Sequence, residues 1–236
     1  MENHEGYRHC IAYTSFNAKR VCSRFARRQQ NQKDFCVDYN KDKEGVDTMR
    51  VFVAGPRAVK ALNRNITDVL SRMIEKQLTV LLGDAAGVDR LVQEYFAAVK
   101  YPNVSIYASD GKARNNVGGW PVHKVEVPVN AKGFDFYAQK DIQMAQDADT
   151  GFMIWNGKSK GTLNNMINLT AQNKRIMIYL IPAKKMFCVD RPDSVRKLAQ
   201  LMGPETFSLH QELCPKSSTS NIETSYEQLS LSETLK

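Results

Sequence analysis

The chain has 236 residues, 42% of them hydrophobic and 25% charged, with a formal net charge of +8. This is the balance of a soluble globular protein, long enough for one good-sized domain with tails. No apolar run approaches the ~20 residues of a membrane span, and no apolar stretch near the start has the form of a secretory signal.

The five cysteines (10, 22, 36, 188 and 214) form no Cys-x-x-Cys pair and no metal-ligand spacing. They read as free thiols in a reducing compartment, and the cytoplasm is the expected location. The charge is uneven. Residues 1–48 carry a net +2, residues 204–236 a net −3, and the part between them a net +9. A basic folded core suits a nucleotide, a phosphorylated sugar or nucleic acid, and equally a basic surface with no specific ligand.

In chain order, residues 1–48 show no strong periodicity. Within them AKRVCSRFARR, from Ala18 to Arg28, is a short basic helix in outline. Such a segment can touch nucleic acid or an acidic membrane surface, while Glu2 and Glu5 argue against a transit peptide. The simpler expectation is that the working domain begins at Met49. Residues 1–48 are then a weakly ordered basic extension or an over-called translation start.

Arg50 to Gly55 forms a first β-rich run, closed by Gly-Pro. Residues 58–76 have helical spacing, with Leu62, Ile66, Val69, Leu70, Met73 and Ile74 on one face. Strands follow at 78–82 and 104–107 with a helix at 88–99 between them. A short strand at 122–127, a helix at 134–148, a strand at 152–155, a helix at 162–173 and a last strand at 175–181 complete the pattern. After Gly203 the chain becomes a Ser/Thr/Glu-rich tail expected to be disordered.

Strands that alternate with helices at this spacing imply an α/β fold, a mostly parallel sheet with helices on both faces. Ligands in such folds sit outside the carboxyl ends of the strands, near the switch point. The segments just after each strand therefore matter most. After the first strand come Gly55, Pro56 and Arg57, and an arginine there can grip a phosphate or remain in solvent. After the second comes Gly83-Asp84-Ala85-Ala86-Gly87-Val88-Asp89-Arg90. Gly83 allows a tight exit, Gly87 lets backbone approach a ligand, and Asp84 is placed to accept bonds from ribose hydroxyls. Asp89 falls in the first helical turn, where its charge also suits the helix dipole. Arg90 either meets a phosphate or faces solvent.

The loop after the third strand holds Arg114 and Trp120. Arg114 can reach a phosphate; Trp120 either stacks on a base or caps the core. Tyr137, Lys140 and Asp141 share one side of the next helix, and Asp141 is its best site candidate. The most informative loop is Asn156-Gly157-Lys158-Ser159-Lys160-Gly161-Thr162. It leads from a buried strand into a helix N-terminus, where unpaired N–H groups and the dipole favour an anion. No Ser-His-Asp triad, zinc site or P-loop signature is legible, and neither a cofactor nor a metal is expected.

The strand-GDAxGVDR-helix unit, then Asp149 followed by Phe152-Met153-Ile154-Trp155-Asn156-Gly157 and Gly161-Thr162, resembles the SLOG superfamily of nucleotide-binding domains. That group includes the DNA-processing protein A-like domains and the cytokinin-activating phosphoribohydrolases. The resemblance covers about residues 49–181. It implies a Rossmann-like domain, taken here as 49–203, and a nucleotide-like ligand. A homodimer would be in keeping with it, although no interface is legible. In the phosphoribohydrolases, and similarly in the nucleoside deoxyribosyltransferases, a glutamate after the Gly-Thr serves catalysis. Here Asn164 and Asn165 stand in that region, and an amide cannot act as a carboxylate nucleophile or general base.

Three functional readings follow. The first is a module that binds a nucleotide or nucleotide-derived phosphorylated ligand. The second is an enzyme that hydrolyses or transfers at an N-glycosidic bond, with Asp84, Asp141 or Asp89 supplying the carboxylate. The third is a nucleic-acid-binding protein.

Overall fold

A computed structural model describes residues 48–214. The basic segment at 18–28 and the Ser/Thr-rich stretch from 217 onward lie outside the described residues.

Seven strands form one sheet: β1 (Arg50–Ala54), β2 (Thr79–Gly83), β3 (Val104–Ser109), β4 (Val122–Val125), β5 (Thr150–Trp155), β6 (Ile176–Leu180) and β7 (Lys185–Val189). Their order is β4-β3-β2-β1-β5-β6-β7. All neighbours are parallel except β7, which runs antiparallel to β6. The helices are α1 (Arg64–Glu75), α2 (Val88–Ala98), α3 (Gly133–Asp147), α4 (Lys160–Ala171), α5 (Pro192–Met202) and α6 (Pro204–Leu213).

The period-2 alternation of the strands sorts the core onto two faces. Val51 and Val53 of β1, with Phe152 and Ile154 of β5, pack with Ile66 and Leu70 of α1 and Val92 and Phe96 of α2. Phe52 and Ala54 of β1, with Met153 and Trp155 of β5, pack with Met144 of α3, Met166 of α4 and Val195 of α5 on the other face. Apolar runs such as Phe-Met-Ile-Trp are continuous because both faces are covered. The fold is the Rossmann-like α/β architecture that the alternation and the resemblance imply.

Three local differences from the sequence reading have physical causes. Helical spacing starts at Ala58, yet α1 begins only at Arg64, where the Asn63 side chain accepts from the Ile66 amide. An Asn N-cap is worth about 1 kcal/mol and sets the start. The edge strand β7 lacks a strong period, and it is fixed by a hairpin whose tight turn holds Lys184 in the left-handed region. The expected boundary at 203 falls between two helices. Chain 204–213 is α6, with Thr206 and His210 buried.

Chain direction creates a crevice at the switch point of the sheet. From β1 the chain works outward through β2 and β3 to β4, then crosses back to form β5 on β1's other side. The segments after β1 and β5 leave toward opposite faces of the sheet, and a crevice opens between them.

Candidate functional site

The crevice at this switch point has a volume of about 560 Å³, within the range of small-molecule sites. The carboxyl end of β1 supplies Gly55, Pro56 and Arg57, the turn after β2 supplies Ala85, and the first turn of α2 supplies Asp89. Helix α3 presents Phe134, Tyr137, Ala138, Asp141 and Met144, at the three- and four-residue spacing of one helix face, together with Lys140. The segment after β5 closes the other side with Asn156, Ser159, Gly161, Thr162 and Asn165.

The loop after β5 is held by its own side chains. Asn156 Oδ1 accepts from the amides of Lys158 (3.0 Å) and Ser159 (2.9 Å). Ser159 caps α4, its Oγ accepting from the Thr162 amide at 3.4 Å and lying 3.0 Å from the Thr162 hydroxyl. The first-turn amides of Lys160 and Gly161 are left with no partner among the described residues. A Cβ on Gly161 would meet nothing within 4 Å. The N-terminus of α4 therefore meets the crevice at Gly161, with that unpaired amide and the positive end of its dipole.

Four charged groups gather at the carboxyl end of β2 and on α3. A Cβ on Gly83 would come within 2.4 Å of Asp89 Oδ2 and 2.7 Å of Lys140 Nζ. These two charges thus meet over the bare Cα of Gly83. Lys140 is 4% exposed and pairs with Asp141. Burial opposes its charge, but Asp141 and Asp89 hold its pKa above the ordinary lysine value. Burial pushes Asp89 up to about 6, a rise strengthened by Asp141 and Asp84 and resisted by Lys140 and the Ala85 amide. Taking such groups out of water costs several kcal/mol per ion even when they are paired. Perturbed charges collected beside a crevice make it the candidate site.

Asp84 is the fourth group, and it does not line the crevice. Arg114 grips both of its oxygens, Nε to Oδ2 at 2.9 Å and Nη2 to Oδ1 at 2.7 Å, and the Arg114 amide adds a bond at 3.1 Å. Burial raises the Asp84 pKa, but these bonds and the Lys140 charge outweigh it and hold the carboxyl below its ordinary value. Arg114 in turn lies over the Tyr137 ring, its guanidinium carbon 4.5 Å from the centroid, with the Arg57 carbon at 5.4 Å from the same ring. Asp84 thus fixes the loop after β3 beneath an aromatic residue of the crevice wall.

Of the residues singled out in the sequence, Gly55, Arg57, Asp89, Asp141, Asn156, Ser159, Gly161 and Thr162 line the crevice. Gly83 and Gly87 support it from behind. The backbone that Gly87 admits is that of Arg57: at φ +76°, its missing Cβ would lie 2.4 Å from the Arg57 carbonyl. Gly157, at φ +82°, packs on Met202, and its carbonyl accepts from the buried Thr206 hydroxyl. Lys160 turns to Glu212 at 2.7 Å and lies over Phe134. Lys158 is exposed outside the crevice, and Arg90 pairs with Glu94. Trp120 caps the core, its indole N–H bonded to the Tyr101 carbonyl.

Phe134, Tyr137, Lys140 and Asn165 were not singled out as site residues. The shared helix side of Tyr137, Lys140 and Asp141 was a readable signal for two of them. Among the described residues no group of His, Cys, Asp and Glu is arranged to hold a metal, and no helix is long and apolar enough to cross a membrane. No protein family, curated protein or solved structure matches the chain.

Proposed function

We propose that this protein binds a nucleotide or nucleotide-derived phosphorylated ligand in the crevice between β1 and β5. The observation that carries the reading is the N-terminus of α4, where Gly161 lines the crevice and its amide has no protein acceptor among the described residues. Unpaired first-turn amides and the helix dipole together favour a phosphate. Arg57 adds an exposed cation on the opposite lip, and Phe134 and Tyr137 offer aromatic surface for a planar base. The test is calorimetric titration and thermal shift of the full chain with nucleotides, ADP-ribose and ribose phosphates. A ligand at a hundred times its dissociation constant adds about 2.7 kcal/mol of stability. Absence of any shift across this set overturns the reading.

A second reading, cleavage or transfer at an N-glycosidic bond, draws on Asp89 and Asp141. Asp89 at about 6 is poised to exchange a proton near neutral pH, and Asp141 lines the same crevice. Product analysis for free base separates it from binding alone. Base release that is lost in both Asp89→Asn and Asp141→Asn would make the protein an enzyme.

A further inference from the structure

Asn165 is 3% exposed, lines the crevice, and has a carboxamide oxygen with no hydrogen-bond partner. Arg50 Nε and Asn168 Nδ2 are also unpartnered, but neither residue lines the crevice. The same crevice includes the buried apolar side chains of Phe52, Ala54 and Met144. A buried acceptor left unpaired costs about 1–3 kcal/mol, and native proteins keep few of them. A leucine here would avoid that cost, so the amide is better explained by a donor that arrives with the ligand.

Position along α4 narrows what that donor is. Asn165 lies four residues beyond Gly161 and three beyond Thr162, on the same helix face. At 1.5 Å per residue its Cα stands about 6 Å further along the axis than that of Gly161, and its side chain leans back toward the helix N-terminus. The ring hydroxyls of a sugar phosphate lie within that reach of its phosphate, and the far edge of a nucleobase lies beyond it. A phosphate itself offers Asn165 Oδ1 no N–H and at neutral pH little O–H, whereas a ring hydroxyl donates directly.

We propose that Asn165 is a specificity-determining residue that accepts a hydrogen bond from a ring hydroxyl of a ribose phosphate held at the α4 N-terminus. The crevice then selects ribose over deoxyribose. This inference rests on the phosphate-binding reading above. It adds a discrimination which that reading alone does not require, because a site built around a substrate hydroxyl is left with an unpaired buried group by the analogue that lacks it.

The experiment is calorimetric titration of the full-length protein with inorganic phosphate, ribose 5-phosphate, 2-deoxyribose 5-phosphate and 3-deoxyribose 5-phosphate. Ribose 5-phosphate is expected to bind about ten- to a hundredfold tighter than one of the two deoxy sugars. In Asn165→Leu that ratio is expected to collapse toward one, while the unliganded melting temperature stays level or rises because no buried acceptor is orphaned. Equal binding of all three sugars by the wild type overturns the inference and leaves the phosphate site standing. A ribose preference that survives in Asn165→Leu assigns the discrimination elsewhere and also overturns it. Failure of phosphate and of every sugar to bind overturns the inference, and failure of nucleotides and ADP-ribose as well overturns the reading it rests on.

Discussion

Arg114 closes on Asp84 through three hydrogen bonds, two from the guanidinium and one from its own amide. Asp84 is almost fully enclosed, while the Arg114 side chain keeps 36% of its surface. The pair ties the loop after β3 to the end of β2, and Asn115 strengthens the tie by donating to the Asp84 carbonyl at 2.8 Å. Asp84 is thereby a holding residue behind the site, and the acids that line the crevice are Asp89 and Asp141.

Breaking this pair should destabilise the fold. Arg114→Ala leaves a buried carboxylate with only an amide donor, and a loss of about 2 kcal/mol is expected after discounting for the exposed half of the pair. The sign of the pH dependence follows from the depressed Asp84 pKa. The pair's stabilisation is fully present above the ordinary carboxylate value of 3.8 and is lost as pH falls through the lower folded value. Denaturant midpoints of wild type and Arg114→Ala should therefore converge on acidification below about pH 4.

Asp89 has the opposite sign. Its folded pKa of about 6 lies above the ordinary 3.8, so the folded state holds a proton that the unfolded state has released. Stability should fall as pH rises from about 4 to 6, by up to about 3 kcal/mol from this one group. Asp89→Asn is expected to flatten that slope and to be more stable than wild type at pH 7. An unchanged slope in chemical denaturation across pH 4–7 would show that Asp89 is not held protonated.

Filling the α4 end of the crevice should abolish ligand binding without unfolding the chain. A Cβ at Gly161 meets nothing, so Gly161→Val places its branches in the crevice, and valine's helix propensity is no worse than glycine's, so the fold is expected to hold. Arg57→Ala removes an exposed cation and is expected to weaken a phosphorylated ligand by about tenfold, the scale of one charged hydrogen bond. Titration with ribose 5-phosphate reads both effects. A Gly161→Val protein that binds normally would move the anion site away from α4.

Helix α6 should be part of the folded unit. The Thr206 hydroxyl donates to the Gly157 carbonyl at 2.7 Å in a buried setting, and Lys160 of α4 pairs with Glu212 at its far end. Thr206→Val, close in shape but without the donor, is expected to cost about 1–2 kcal/mol by orphaning that carbonyl. Lys160→Ala, at an exposed pair, should cost less than 1 kcal/mol. Truncation after Gly203 is expected to lower the melting temperature more than either substitution.

The sequence by itself determined the alternation of strands and helices, the mostly parallel sheet and the segments that border the crevice. These properties are encoded locally: apolar runs of four to six residues must be buried on both faces, and a 3.6-residue period needs one buried face. Asn156 to Thr162 announces a helix N-terminus for the same reason, since Asn156 and Ser159 bond amides within three residues of themselves. Tertiary structure alone decided which side chains turn inward. Lys160 and Asp84 look like ligand groups in the sequence, yet Glu212, 52 residues on, and Arg114, 30 residues on, claim their charges. Lys140 reads only as sharing a helix side with Tyr137 and Asp141, yet the fold buries it, its ammonium over the bare Cα of Gly83. A charge is settled by whichever opposite charge the fold brings within a few ångströms, and that distance is set by strand order rather than by neighbours in the chain.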